Sequence, residues 1–289
     1  MMKDLSFLLC FCLFVQVGFS GNTKIPDQPK QVIACNKDSL MLDHLLSHFP
    51  GKRDRPTGEL VAAIGKTFRE TPYVAHTLEN GKEEKLVVNL RQLDCTTFAE
   101  NCLALALTIK SGKDNVEQFT HELERVRYRE GKREGYTSRL HYFSDWIFDN
   151  NRKGLISQPA TGFGSPLDVQ VSFMSAHPDS YPVLKENPAL VPVMVRQEKI
   201  ISSRKYFFLK KEDVEANEAR LQEGDIVGIT TSVPGLDITH VGILVRENGR
   251  IHLMHASSAQ GKVVISKEPL SDLLAGKKSY TGIMIARPQ

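Results

Sequence analysis

LRQLDCTTFAENCLALAL, residues 90–107, places Cys95 at the entrance of an amphipathic helix. Asp94 stands where a helix cap is expected, and Ser111–Gly112 stops the pattern after about Lys110. The unpaired amides of a first helical turn, with aligned peptide dipoles behind them, favour a thiolate over a thiol. The same stretch therefore predicts a helix and a nucleophile at its start. EKLVVNLRQ, residues 84–92, reads as a strand leading into it.

The last third of the chain is strand-rich: DIVGITT, DITHVGILVR, RIHLMHASS, KVVIS and TGIMIARP. Glu247, Asn248 and Gly249 separate two of these strands as a hairpin turn does. Side chains alternate along a strand, so Ile251, Leu253 and His255 share one face and His252 and Met254 the other. The first face is the more apolar, which predicts His255 toward the core and the Cys95 helix and His252 toward solvent. On the preceding strand His240 is followed at alternate positions by Gly242 and Leu244, and Gly242 leaves space beside His240. Helices followed by an antiparallel meander imply an α+β domain with the nucleophile helix packed on one sheet face.

Upstream, Ser39–His48 and Gly58–Thr71 have helical spacing, and TPYVAHTLE, residues 71–79, is irregular or extended. Val116–Arg129 predicts another helix, and Tyr136–Asn150 a loop that becomes helical. Residues 151–195 are rich in Gly, Pro and Ser and read as surface loops or a lid, with LDVQVSFM as a candidate strand. ISSRKYFFLK reads as a strand and Glu212–Leu221 as a short charged helix. Roughly residues 112–222 thus form a long insertion in a single domain spanning 21–289.

The chain opens MMKDLSFLLCFCLFVQVGFSGN, whose charged start, apolar run from Leu5 to about Phe19 and small residues at Gly18 and Ser20 read as a secretory signal peptide over residues 1–20. The expectation is an exported protein of the periplasm or cell envelope, with no stable membrane span once the leader is removed. The formal net charge is +3 across 289 residues, which does not argue for nucleic acid. Outside the leader the cysteines are Cys35, Cys95 and Cys102, an odd number that argues against a disulfide framework. Cys102 lies two helical turns beyond Cys95, roughly 10 Å away and out of disulfide reach. Cys102 and Cys35 read as packing residues. No CxxC or HExxH spacing is present, so neither a metal nor another cofactor is expected.

A thiol at a helix start and two histidines on strands are the parts of a cysteine hydrolase. His240 would take the Cys95 proton and return it to a leaving amine, while His255 would hydrogen-bond the far nitrogen of His240 and fix its tautomer. The Cys95 amide and another donor would hold the oxyanion.

LDCTTFAEN, THVGILV and HASS, in that order, resemble the NlpC-type superfamily of cell-wall cysteine amidases and peptidases, which has a papain-like core. TPYVAHTLE resembles its upstream motif, in which a Tyr lines the site; this implies Tyr73 as a substrate or oxyanion contact. A Gly is usual where this chain has His76. LRQLDCTTF, TSRLHYFSDWI and the long interval before His240 resemble the N-acetylmuramoyl-L-alanine amidase-like branch. The resemblance implies muropeptide substrates and hydrolysis of the amide between the muramic acid lactyl group and L-alanine through a Cys95 thioester. A cut after D-glutamate by the same machinery, acyl transfer, and a non-catalytic cell-wall binder are the alternatives. The planar fork of Arg139 suits a substrate carboxylate, and Ser138, His141 and Tyr142 are candidate contacts to sugar or peptide. Arg139 as a solvated loop charge and Tyr142 as a packing residue are equally open. Asp225 reads as a turn residue and Trp146 as core.

Overall fold

Asp94 accepts a hydrogen bond from the Thr97 amide at 2.8 Å, and the Asp94 amide donates to Thr97 Oγ1 at 2.9 Å. This reciprocal cap starts the helix Cys95–Ser111 of the computed structural model, and Gly112, at φ 78°, ends it. The structure describes residues 32–49, 53–79, 81 and 83–289; the leader segment lies outside them. Residues 31–289 form one unit.

In chain order the unit begins with β1 (Val32–Ile33), α1 (Asn36–His48), α2 (Thr57–Thr67) and β2 (Leu86–Val87). The nucleophile helix is then α3, followed by α4 (Val116–Arg127) and α5 (Phe143–Arg152). α3 is buried around most of its circumference, including Phe98, Ala99, Cys102 and Leu103, so its helicity is held by packing on several sides. Next come β3 (Ile156–Ser157), β4 (Ser165–Leu167), α6 (Phe173–Ala176), α7 (Pro182–Glu186), α8 (Val191–Ser202) and β5 (Tyr206–Lys210). Pro182 and Pro192 sit in the first turns of α7 and α8, where a missing amide proton costs nothing. The C-terminal part is β6 (Ile226–Thr231), β7 (Ile238–Glu247), β8 (Arg250–Ser257), β9 (Lys262–Ile265), α9 (Leu270–Ala275) and β10 (Tyr280–Pro288).

The main sheet runs β4-β5-β10-β6-β7-β8-β9 with antiparallel neighbours, and β3 also pairs with β10. Glu247 pairs with Arg250 across Asn248 and Gly249, whose φ of 51° and 83° are the left-handed values a two-residue hairpin requires. The result is the mixed helix and antiparallel sheet expected of an α+β domain. One sheet face packs Val241, Ile243, Val245, Met254 and Ala256 into the cluster that holds α2 and α3. The other packs Ile229, Leu244, Ile251 and Leu253 against Leu270 and Leu274 of α9.

The β7–β8 ladder runs from the turn only as far as Ile243 and Met254. Beyond it β7 keeps β6 as its partner while β8 keeps β9, so the two strands part. That parting is where the candidate site lies.

Several local expectations are corrected. The strand before Cys95 is only Leu86–Val87 and pairs in parallel with β1. LDVQVSFM is not a strand: β4 ends at Leu167 and α6 begins at Phe173. Ile201 and Ser202 end a helix, and the strand starts at Tyr206. Residues 212–221 hold two single 3₁₀ turns, Lys211–Asp213 and Glu218–Arg220, not an α-helix. Within residues 112–222, α4 packs on α3 and β5 pairs with β10 in the main sheet.

Candidate active site

Cys95 is the first residue of α3 and half-buried. Thr96 Oγ1 lies 4.0 Å from its sulfur, and the Val241 amide is near enough to favour the thiolate, so the helix start neighbours β7 one residue beyond His240. Burial pushes the thiol up to about 11, the Asp94 carboxylate adds to this, and the hydrogen bonds from Val241 and Thr96 only partly offset it. The thiolate expected from the helix terminus is therefore not the resting form: loss of hydration and one adjacent negative charge outweigh the helix end. Asp94→Asn keeps a good cap and removes that charge, so the Cys95 pKa should fall. At a fixed pH near 8 the thiolate fraction rises, and alkylation by iodoacetamide should be several-fold faster than in the parent. An unchanged rate–pH profile would show that burial alone sets the thiol.

His240 Nε2 and His255 Nδ1 are 2.6 Å apart, with the rings perpendicular at 89°. Burial lowers His240 to about 3, helped by the neighbouring His255, and lowers His255 to about 4 against the opposing Glu268 carboxylate. Both imidazoles are neutral at pH 7, so one ring donates and the other accepts. They line a cleft of about 720 Å³ together with Ser257, Gln260, Glu268 and Tyr280.

The orientation of these strands corrects the expectation drawn from alternation. Met254 reaches α2, where a Cβ on Gly65 would meet its Cε, so the face of His252, Met254 and Ala256 is the one toward the helices. His252 is buried, with Nδ1 2.9 Å from the Ser266 carbonyl oxygen. His240 and His255 lie on the opposite face, at the end of the sheet where β7 and β8 part. Gly242 does not leave an open space: a Cβ there would lie 2.5 Å from Leu253 Cδ1, so the glycine serves close packing.

Tyr73 forms a bridge with Leu93, two residues before Cys95, and its amide donates to the Gly261 carbonyl at 2.8 Å. Burial raises its phenol, and the Cys95 and Asp94 charges raise it further. His76 adopts φ 59°, a left-handed conformation that explains why glycine suits this position.

The remaining expected contacts divide. Arg139 is neither a solvated charge nor a free clamp: Nε and Nη2 bind Glu84 at 2.9 and 2.7 Å, and Nη1 binds Glu79 at 2.8 Å. Tyr142 is buried, donating to Glu198 at 2.7 Å and accepting from the Met174 amide at 2.9 Å, which is the packing role. Ser138 Oγ donates to the Gly135 carbonyl and accepts from the Glu134 amide, closing a turn. His141 alone of the four approaches the nucleophile, lining a small pit with Thr96 and Val241. Burial, then the Arg139 charge, lower His141 to about 3, so neutral Nε2–H donates to the Tyr136 carbonyl at 2.9 Å.

Asp225 is held bidentately by Arg287, with both contacts at 2.8 Å, and Trp146 is buried against Phe143. Cys102 is buried, but Cys35 is not a packing residue; it is exposed at the start of α1, its thiol donating to Asp38 at 2.8 Å. Among the described residues no group of His, Cys, Asp and Glu is arranged to hold a metal.

The pair Glu100–Arg127, which the sequence did not single out, lies beneath the site. Arg127 Nε is 2.7 Å from Glu100, and its Nη1 donates to the Val87 carbonyl at 2.8 Å. The signal available was two opposite charges on the buried faces of two successive helices.

Residues 63–283 match the family described as AmiA-like, N-acetylmuramoyl-L-alanine amidase-like. The fold is similar to the crystal structure of an N-acetylmuramoyl-L-alanine amidase from Bacteroides uniformis ATCC 8492, with a TM-score of 0.78 and 38% identity over 81% of this chain and 99% of that one. A Bacteroides fragilis structure, provisionally described as a xylanase, is 42% identical over 77% of this chain and 98% of its own, at a TM-score of 0.74. A Legionella pneumophila protein shares the fold at a TM-score of 0.66 and 20% identity, over 87% of this chain and 94% of its own. No curated protein matches.

Proposed function

Since this chain belongs to the AmiA-like, N-acetylmuramoyl-L-alanine amidase-like family, we propose that it hydrolyses the amide joining the muramic acid lactyl group to L-alanine in peptidoglycan fragments. The observation that supports the cysteine mechanism is the His240–His255 pair at 2.6 Å on strands packed against the helix that Cys95 begins. A helix bearing a thiol at its start, packed on an antiparallel sheet that bears the histidines, supports an NlpC-type site on a papain-like core.

In this mechanism His240 Nδ1 accepts the thiol proton, which requires that its Nε2–H donate to His255 Nδ1. Sulfur attacks the lactyl carbonyl carbon, and the Cys95 amide with a second donor, a role we assign to Tyr73, holds the oxyanion. The carbon–nitrogen bond breaks as His240 gives its proton to the departing alanine nitrogen. A water then loses a proton to His240 and attacks the thioester, releasing the muramic acid carboxylate and restoring the thiol. The raised thiol and lowered imidazole are consistent with proton transfer during attack, in place of a standing ion pair.

A secretory leader, as read from the sequence, and this substrate both support export to the periplasm or cell envelope. Among the described residues no helix is long and apolar enough to cross a membrane.

Defined muropeptides incubated with the protein and resolved by mass spectrometry test the reaction. Free stem peptide beginning with L-alanine is expected. Cleavage after D-glutamate would retain the cysteine chemistry and move the bond, whereas binding without turnover would overturn the hydrolase.

A further inference from the structure

Beside the nucleophile is a pit of about 30 Å³, room for one methyl group or a water molecule. Thr96, His141 and Ile238, all half-buried, stand at its mouth. Behind them are Ala99 of α3, Trp146 and Val241 and, beside Ala99, Glu100, whose carboxylate is bound by Arg127, all at least nine-tenths buried. Trp146 is stacked on Phe143 at 5.4 Å, which makes that wall stiff. Thr96 at the mouth has its Oγ1 4.0 Å from the Cys95 sulfur. A substrate carbon bonded to that sulfur therefore has the pit as an immediate neighbour.

The pit and the histidine cleft are on opposite faces of the sheet. Ile238, Val241 and Trp146 belong to the cluster around α3, whereas the cleft is lined by Ile229 and Leu253 of the other cluster. The group that protonates a leaving nitrogen must face it. With His240 on the cleft side, the departing peptide lies on that side, and the acyl half of the substrate turns toward α3.

We propose that this pit is a specificity site for the methyl group on the acyl side of the scissile amide, the lactyl methyl one carbon from the attacked carbonyl. The proposal rests on the amidase function above. Ala99 sets the depth, Ile238 the width at the rim, and the small volume excludes anything longer than a methyl. A single methylene in a tight apolar pocket is worth about 10–200-fold in kcat/KM.

Three synthetic muramoyl peptides test it, identical except for the ether acid: lactyl, glycolyl without the methyl, and 2-hydroxybutyryl with an ethyl. The parent should prefer lactyl over glycolyl by about tenfold and reject the ethyl compound by about tenfold or more. Ile238→Ala, at the rim, should raise the ethyl-to-lactyl ratio at least about fivefold. Ala99→Leu should fill the pit and reverse the lactyl-to-glycolyl preference; if it does not fold, Ile238→Ala still decides. A parent ratio within about twofold of unity, or ratios that Ile238→Ala leaves unchanged, would mean that the pit holds only water and would overturn the proposal. A fourth substrate, with glycine for L-alanine, assigns the methyl: selective loss there, with lactyl and glycolyl equal, would place the alanine methyl in the pit and overturn the acyl assignment. No turnover of the lactyl compound by the parent would instead overturn the amidase function itself.

Discussion

Cys95→Ala is expected to lower the release of stem peptide by about four orders of magnitude or more, since loss of a covalent nucleophile removes the route and not merely one stabilising contact. The fold should survive. The side chain is half-buried at the first position of α3, and its polar neighbours are Thr96 Oγ1 at 4.0 Å and the Val241 amide. The cap that starts the helix belongs to Asp94 and Thr97. The cost should be about 1 kcal/mol or less, read as a thermal midpoint within a few degrees of the parent. Cys95→Ser refines the test, because the hydroxyl keeps the shape while its pKa lies far beyond the reach of a neutral imidazole pair. Turnover by Cys95→Ala near the parent rate would remove sulfur from the chemistry and leave His240 and His255 to act on a water molecule directly.

Much of this arrangement was legible in the chain because its signals are local. The helix after Cys95 is marked by Asp94, Thr97 and Gly112 within one short stretch, and the β7–β8 turn by Asn248 and Gly249. Shared faces were legible too: alternation puts His240 level with Gly242 and Leu244, and His255 with Ile251 and Leu253. The direction in which those faces point was not. The sheet is covered on both sides, so Met254 and Ala256 on one face are as buried as Ile251 and Leu253 on the other. Apolar character then carries no directional information.

The ion pairs of Arg139 were not legible for a different reason. Its carboxylate partners lie 55 and 60 residues away, and no periodicity links such positions. The mixed region between α5 and β5 was misjudged where helices of about one to three turns, with proline in their first turn, have the composition of loops.

Arg127→Ala should destabilise the protein by about 3–5 kcal/mol, the cost of leaving a buried charge without its partner. For a chain of this size that is a fall in thermal midpoint on the order of 10 °C. The side chains of Arg127 and Glu100 are 1% and 3% exposed, so neither can turn to water once the other is gone. Burial already raises the Glu100 carboxyl, and the Arg127 charge is the first force opposing that rise. Without Arg127 the folded-state pKa of Glu100 climbs further above its unfolded value. A raised carboxyl is a linkage in which the folded state binds the extra proton, so stability declines as pH rises past the unfolded pKa. The deficit of Arg127→Ala should therefore be smallest near pH 4 and grow toward pH 7, which urea unfolding at several pH values would reveal. Glu100→Gln combined with Arg127→Met should recover most of the loss, because no charge is then buried alone. A pH-independent deficit, or one that the double variant does not relieve, would assign the effect to lost packing of the arginine stem. The same pair bears on the chemistry: Glu100 is on the helix that presents Cys95, and Arg127 holds the Val87 carbonyl in the segment that leads to it. A variant that still folds at low temperature should then lose kcat more than KM, since the thiol would be less firmly placed against Val241.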